Sequence, residues 1–127
     1  MKIGELATLI EDIGKPLNEK FEAFSFVLPE TYQKGDTLPI ARIEPLSSNA
    51  YREGSDKLLS SKQQYQIQLF QSIDTDIEEL ADKIKTKLYN HGFTFTFETS
   101  YLDPDLNNVY VTTMQVSTVK HYEYKGD

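Results

Sequence analysis

"LFQSIDTDIEEL", residues 69–80, is where the hydrophobic repeat of the chain changes period. Just before it, "QQYQIQLFQSI" sets Tyr65, Ile67 and Leu69 on one face and Gln64, Gln66 and Gln68 on the other, the period-two pattern of a half-buried strand. From Ile77 onward, Ile77, Leu80, Ala81, Ile84 and Leu88 recur at helical spacing until Gly92, which reads as a helix stop. A strand therefore hands over to a helix inside this stretch.

Working toward the N-terminus, residues 46–61, "LSSNAYREGSDKLLSS", hold five serines, an Asn and a Gly with no sustained period, and read as a long loop. Loops of that length are uncommon in compact domains and tend to carry function. "LPIARIEP" before it alternates and is bounded by Pro39 and Pro45, as a short strand near a sheet edge would be. "TYQKGDT" (31–37) reads as a turn, and Phe24, Phe26 and Leu28 suggest a strand over 22–28. Ile3, Leu6, Ala7, Ile10 and Ile13 mark a first helix, stopped near Gly14 and Pro16.

Toward the C-terminus, Phe93, Phe95 and Phe97 alternate with Thr94 and Thr96 as core residues do. The turn-rich "DPDLNN" (103–108) and a β-branched run over 109–119 complete a C-terminal hairpin. The sum is an α+β fold: a mostly antiparallel sheet of about five strands with two helices packed on one face. A chain of 127 residues suits one domain, assigned to 1–122, with 123–127 a loosely held tail.

The acids Asp74, Asp76, Glu78 and Glu79 raise the question of a carboxylate site. An EF-hand counted from Asp74 places Lys85 at the twelfth position and has no central Gly, so that motif fails. Asp74 or Thr75 as a helix cap, with Thr75 and Glu78 as a capping box, explains the acids without chemistry. "DPDLNN" offers Asp103, Asp105 and Asn107 as oxygen ligands, but a hairpin turn selects the same letters. His91 precedes Gly92, where it suits the terminal carbonyls of the helix, and His121 has no partner motif. No GxSxG, GxGxxG or GxxxxGK[ST] occurs and cysteine is absent, so no catalytic, cofactor or metal residues are assigned.

The net charge of −7 argues against a surface that clamps nucleic-acid phosphates. No apolar run approaches the length needed to cross a membrane. The last strand mixes Tyr110, Thr112 and Met114 with Val109, Val111 and Gln115, so both faces of the sheet have something to bury, as subunit contact requires.

The sequence of "LPIARIEP", a Ser/Asn/Gly loop, "YQIQLFQSID" and "IEELADKIKTKLYNHGF" resembles the tail-completion proteins of long-tailed bacteriophages. It looks like the tail terminator, or head-to-tail joining, group of phages and prophages of Gram-positive bacteria, over roughly residues 1–122. The resemblance implies a non-enzymatic virion protein, made in the host bacterial cytoplasm, that forms a ring, commonly a hexamer, at the head-tail junction. Such a ring stops tube growth and meets both the major tail tube protein and the head-tail connector, while DNA passes through unbound. It further implies that the helix over 76–91 supports the sheet and that loop 46–61 and the hairpin tip 101–108 reach neighbouring subunits. Asn49, Tyr51, Arg52, Asp56, Lys57 and Leu58 in the loop, with Tyr101, Leu102, Asp105 and Leu106 at the tip, are the expected interface residues. Two other readings stay open: a small metal-binding or enzymatic domain using the acids at 74–79 or 103–105, and an adaptor that binds a peptide on a free sheet edge.

Overall fold

The computed structural model describes residues 2–28, 38–52, 58–106 and 108–121. Its elements are α1 (Ile3–Gly14), β1 (Glu22–Ser25), β2 (Ile40–Arg52), β3 (Leu58–Ser72), α2 (Ile77–Asn90), β4 (Thr94–Leu102) and β5 (Val109–His121). The strands form one sheet in the order β1-β2-β3-β5-β4, in which only the β1–β2 pair is parallel. This is the α+β architecture expected, with both helices on one face.

The core follows from the two periods. Ala41 and Ile43 of β2, Tyr65, Ile67 and Leu69 of β3, and Met114 and Val116 of β5 point to the same side. There they meet Leu6, Ala7, Ile10 and Ile13 of α1 and Leu80, Ala81, Ile84 and Leu88 of α2. Each of these helices buries one stripe, so removing that stripe from water holds it on the sheet. The loop after α1 closes the core from the side. The fully buried Phe21 ring lies against Gly14, and the Lys15 ammonium donates to the carbonyls of Glu19 and Phe21 at 3.1 and 3.0 Å. The Glu11 carboxylate accepts the Ala23 amide at 3.0 Å, tying β1 to α1.

The switch between periods is punctuated by its own side chains. Asp76, not Asp74 or Thr75, is the N-cap of α2, and its carboxylate accepts the Glu79 amide at 3.2 Å. Thr75 instead donates its hydroxyl to the Ser72 carbonyl at 2.7 Å, and the Asp74 amide donates to the Ser72 hydroxyl, so both complete the turn out of β3. Asp76→Ala is therefore expected to cost about 1 kcal/mol and Asp74→Ala much less, as read from urea unfolding midpoints. At the far end the Gly92 amide donates to the Tyr89 carbonyl and the Phe93 amide to that of Leu88, with Gly92 at φ +88°. That is a Schellman cap, which needs the left-handed conformation glycine adopts freely. His91 takes part too, its Nδ1 lying 2.8 Å from the Lys87 carbonyl.

Three expectations need correction. The segment 46–61 is not a loop: β2 runs on to Arg52 and β3 begins at Leu58, paired from Ser48↔Gln63 to Arg52↔Leu58, with 53–57 outside the described residues. A backbone ladder holds strands together and requires no apolar alternation, so polar composition alone hid it. The first strand stops at Ser25, where Phe26 takes φ +71° and the Val27 amide donates back to the Ser25 carbonyl. This tight γ-turn leaves Phe26 half exposed. Finally, Phe97 is not a core residue. Phe95 opposes Val116 and Phe97 opposes Gln115, so Thr96 is an extra, bulged residue that turns the remainder of β4 over to the other face of the sheet. The expected turn at 31–37 and the tail at 123–127 lie outside the described residues.

Tyr65 adds a pH dependence to this core. Its ring tilts against Phe93 with centroids 6.4 Å apart, and its hydroxyl donates to Gln63 at 3.1 Å. Burial pushes the phenol pKa up from 10.0, and the Glu5 charge adds to the effect. A raised folded-state pKa means stability that is intact below pH 10 and lost as pH climbs through the folded value. Chemical denaturation above pH 10 should therefore show the wild type losing more stability, relative to neutral pH, than Tyr65→Phe does.

Candidate interaction surface

The same alternation that builds the core leaves the second sheet face without a described helix. Register places Phe24, Arg42, Gln68, Thr113 and Thr99 in one row across it, and Glu44, Gln66, Gln115 and Phe97 in the next. The rows are linked by polar contacts. Arg42 donates to Gln68 and lies 3.4 Å from the Glu44 carboxylate, which also accepts from Gln66 at 3.3 Å. At one end this face becomes more apolar, with the buried Ile40 beside a hollow of about 260 Å³ that Val27, Leu28, Leu38, Phe70 and Leu106 also line. Amide side chains bridging a charged pair, beside an apolar hollow, make a surface that is neither a core nor an ordinary solvated face.

At the other end the strands run on past the last core residues among those whose side chains are described. The core cluster reaches Ile43 on β2, Tyr65 on β3 and Val116 on β5. The three strands nevertheless continue side by side, with Asn49↔Lys62 and Tyr51↔Ser60 on one flank and Lys62↔Val119 and Ser60↔His121 on the other. They form a three-stranded arm.

The expected interface residues divide between these two ends. Asn49, Tyr51 and Arg52 lie on β2 in the arm, and Leu58 opens β3 opposite Arg52, whereas Asp56 and Lys57 fall outside the described residues. Tyr101 and Leu102 end β4, and Asp105 and Leu106 sit in the turn beyond it, at the opposite end of the sheet. Along β3, Leu58 to Phe70, whose β5 partner Val111 opposes Tyr101, spans roughly 40 Å at strand rise. The structure thus brings each group together and keeps the two groups apart. Gln66, Gln68, Arg42 and Glu44 belong to the surface as well and were passed over in sequence, although the alternation of glutamines opposite Tyr65 and Ile67 already signalled a second face.

The acid groups have structural work. Asp103 Oδ1 accepts the amides of Asp105 at 2.8 Å and Leu106 at 3.1 Å, closing an Asx turn that Asn108, at φ +61°, carries back into β5. Asp76 caps α2 as described. The other charged cluster lies between α2 and β4, where the Lys85 ammonium is 2.9 Å from Glu98 and 3.5 Å from Asp82. The hydrogen bond to Glu98 is the main cause holding the Lys85 pKa above its ordinary value.

No protein-family model matches the chain, and no curated protein matches it. A solved structure whose name states no function is similar over 98% of this chain and 96% of that one, at 9% identity and a TM-score of 0.48.

Proposed function

We propose that the chain is a virion structural protein of a long-tailed phage or prophage: a tail terminator that closes into a homo-oligomeric ring, commonly a hexamer, on the last ring of the tail tube. The ring ends tube growth, presents its other side to the head-tail connector, and lets DNA pass through without specific binding. One observation carries this reading. The ladder of β2, β3 and β5 runs on, to Arg52, Leu58 and His121, past the last core residues among those whose side chains are described. Long paired strands of this kind suit contact between copies, and a heterologous contact repeated about an axis closes a ring. The open sheet face, with its Arg42–Glu44–Gln66 network, supplies a second surface, suited to a stacked ring above or below.

The experiment is to incubate the purified chain with pre-formed tail tubes, recover the bound fraction and measure its mass by native mass spectrometry. A single closed multimer is the expected species. A chain that stays monomeric and does not bind overturns the reading.

A further inference from the structure

The two edges of the sheet are unequally protected. On one side β1 spans only four residues, and the edge of β2 beyond it holds Pro45 and a register shift between Pro45 and Ser48. Both devices discourage strand addition. On the other side β4 ends the sheet with nine residues, no proline and no lysine, and its side chains are exposed at every position but Phe95. Phe97, Tyr101 and Leu102 keep 51, 45 and 62% of their surface in water. After the bulge the pairing is regular from Phe97 to Leu102, so six residues offer an unbroken ladder that no described strand covers on its outer side.

The two sides of that ladder differ in chemistry. Glu98, Ser100 and Leu102 face the helices, and beneath them a hollow of about 230 Å³ is lined by Glu78, Asp82 and Lys85 of α2 together with Glu98. One ammonium against three carboxylates leaves it net negative. Phe97, Thr99 and Tyr101 face the other way, with one aromatic ring two steps from Thr99 in each direction.

We propose that β4 is a docking edge for an extended segment of another protein, one that carries Lys or Arg at alternate positions and apolar side chains between them. An added strand would lie about 4.8 Å outside β4. Its side chains on the helix side would then stand about 5 Å from those of Glu98 and Ser100, at the mouth of the acidic hollow, and its apolar ones would cover Phe97 and Tyr101. Main-chain hydrogen bonds supply affinity and the two side-chain rows supply selection. Charge decides against a second copy as the occupant. Antiparallel pairing of β4 with itself brings two acidic hollows together, in a chain whose net charge is already −7. The docking edge needs no ring, so it stands or falls apart from the tail-terminator reading.

The test titrates the full ¹⁵N-labelled chain with an eight-residue peptide of alternating lysine and valine, and with its glutamate–valine counterpart. The expected result is shifts and slowed amide exchange at alternate positions within 97–102, with the glutamate peptide binding about tenfold or more weakly. N-methylation of one alternate set of peptide amides should abolish binding while the other set tolerates it. Asp82→Asn and Glu98→Gln together should shrink the preference between the two peptides. Equal binding of both peptides, indifference to N-methylation, or protection on another edge overturns the proposal. So does concentration-dependent self-association that protects 97–102 with no peptide present.

Discussion

Replacing Phe21 by alanine is expected to lower stability by about 3–5 kcal/mol, the range for deleting a buried aromatic side chain that leaves a cavity. Phe21 has no exposed surface, belongs to the core cluster and lies against Gly14 of α1. Its ring also explains Gly14. A methyl group built on that glycine would sit 2.3 Å from Phe21 Cδ2 and 3.1 Å from Leu80 Cδ1, closer than packed atoms tolerate. Gly14→Ala is therefore expected to cost about 1–3 kcal/mol by overpacking, although alanine is the better helix former. Paired with Phe21→Leu, which vacates ring volume, the glycine substitution should cost less than it does alone. A double-mutant cycle from urea unfolding would show that non-additivity.

The second large effect concerns assembly, not folding. Excising residues 47–62 and joining the ends through an Asn-Gly turn shortens the ribbon while keeping every described member of the core cluster. The shortened chain should keep its cooperative unfolding and lose ring formation completely, as read by circular dichroism melts and light scattering in the presence of tail tubes. A shortened chain that still assembles would locate the contact elsewhere, at the open face or the 101–106 end.

How much of the fold and surface was legible beforehand depended on whether a residue's role leaves a repeat in the chain. α2 was readable because Leu80, Ala81, Ile84 and Leu88 all face the core, and because Gly92 is the residue its cap geometry demands. β3 was readable from Tyr65 to Leu69 because one face is dry and the other wet. Beyond Gln63 the same strand carries no alternation, and its pairing rests on backbone groups that every residue possesses. The bulge at Thr96 is a matter of register with β5, which a local pattern cannot contain, so three alternating phenylalanines suggested a core that only the first two join. The cap of α2 was missed by a residue or two because Asp74, Thr75 and Asp76 are all competent caps, and the choice between them is made by the turn out of Ser72. The expected interface residues were picked from segments of unusual length or turn content. Their division between opposite ends of the sheet is a consequence of strand order, which the sequence does not display.

The length distribution of tail tubes polymerised in the presence of the chain tests the ring-forming role most directly. Tail-tube protein allowed to polymerise with increasing amounts of the purified chain, and imaged by negative-stain electron microscopy, should give progressively shorter tubes. Each should carry a ring of added density at one end, and growth should not resume when more tube protein is supplied. Tubes that lengthen as they do without the chain, with bare ends and the chain left free in solution, would contradict it.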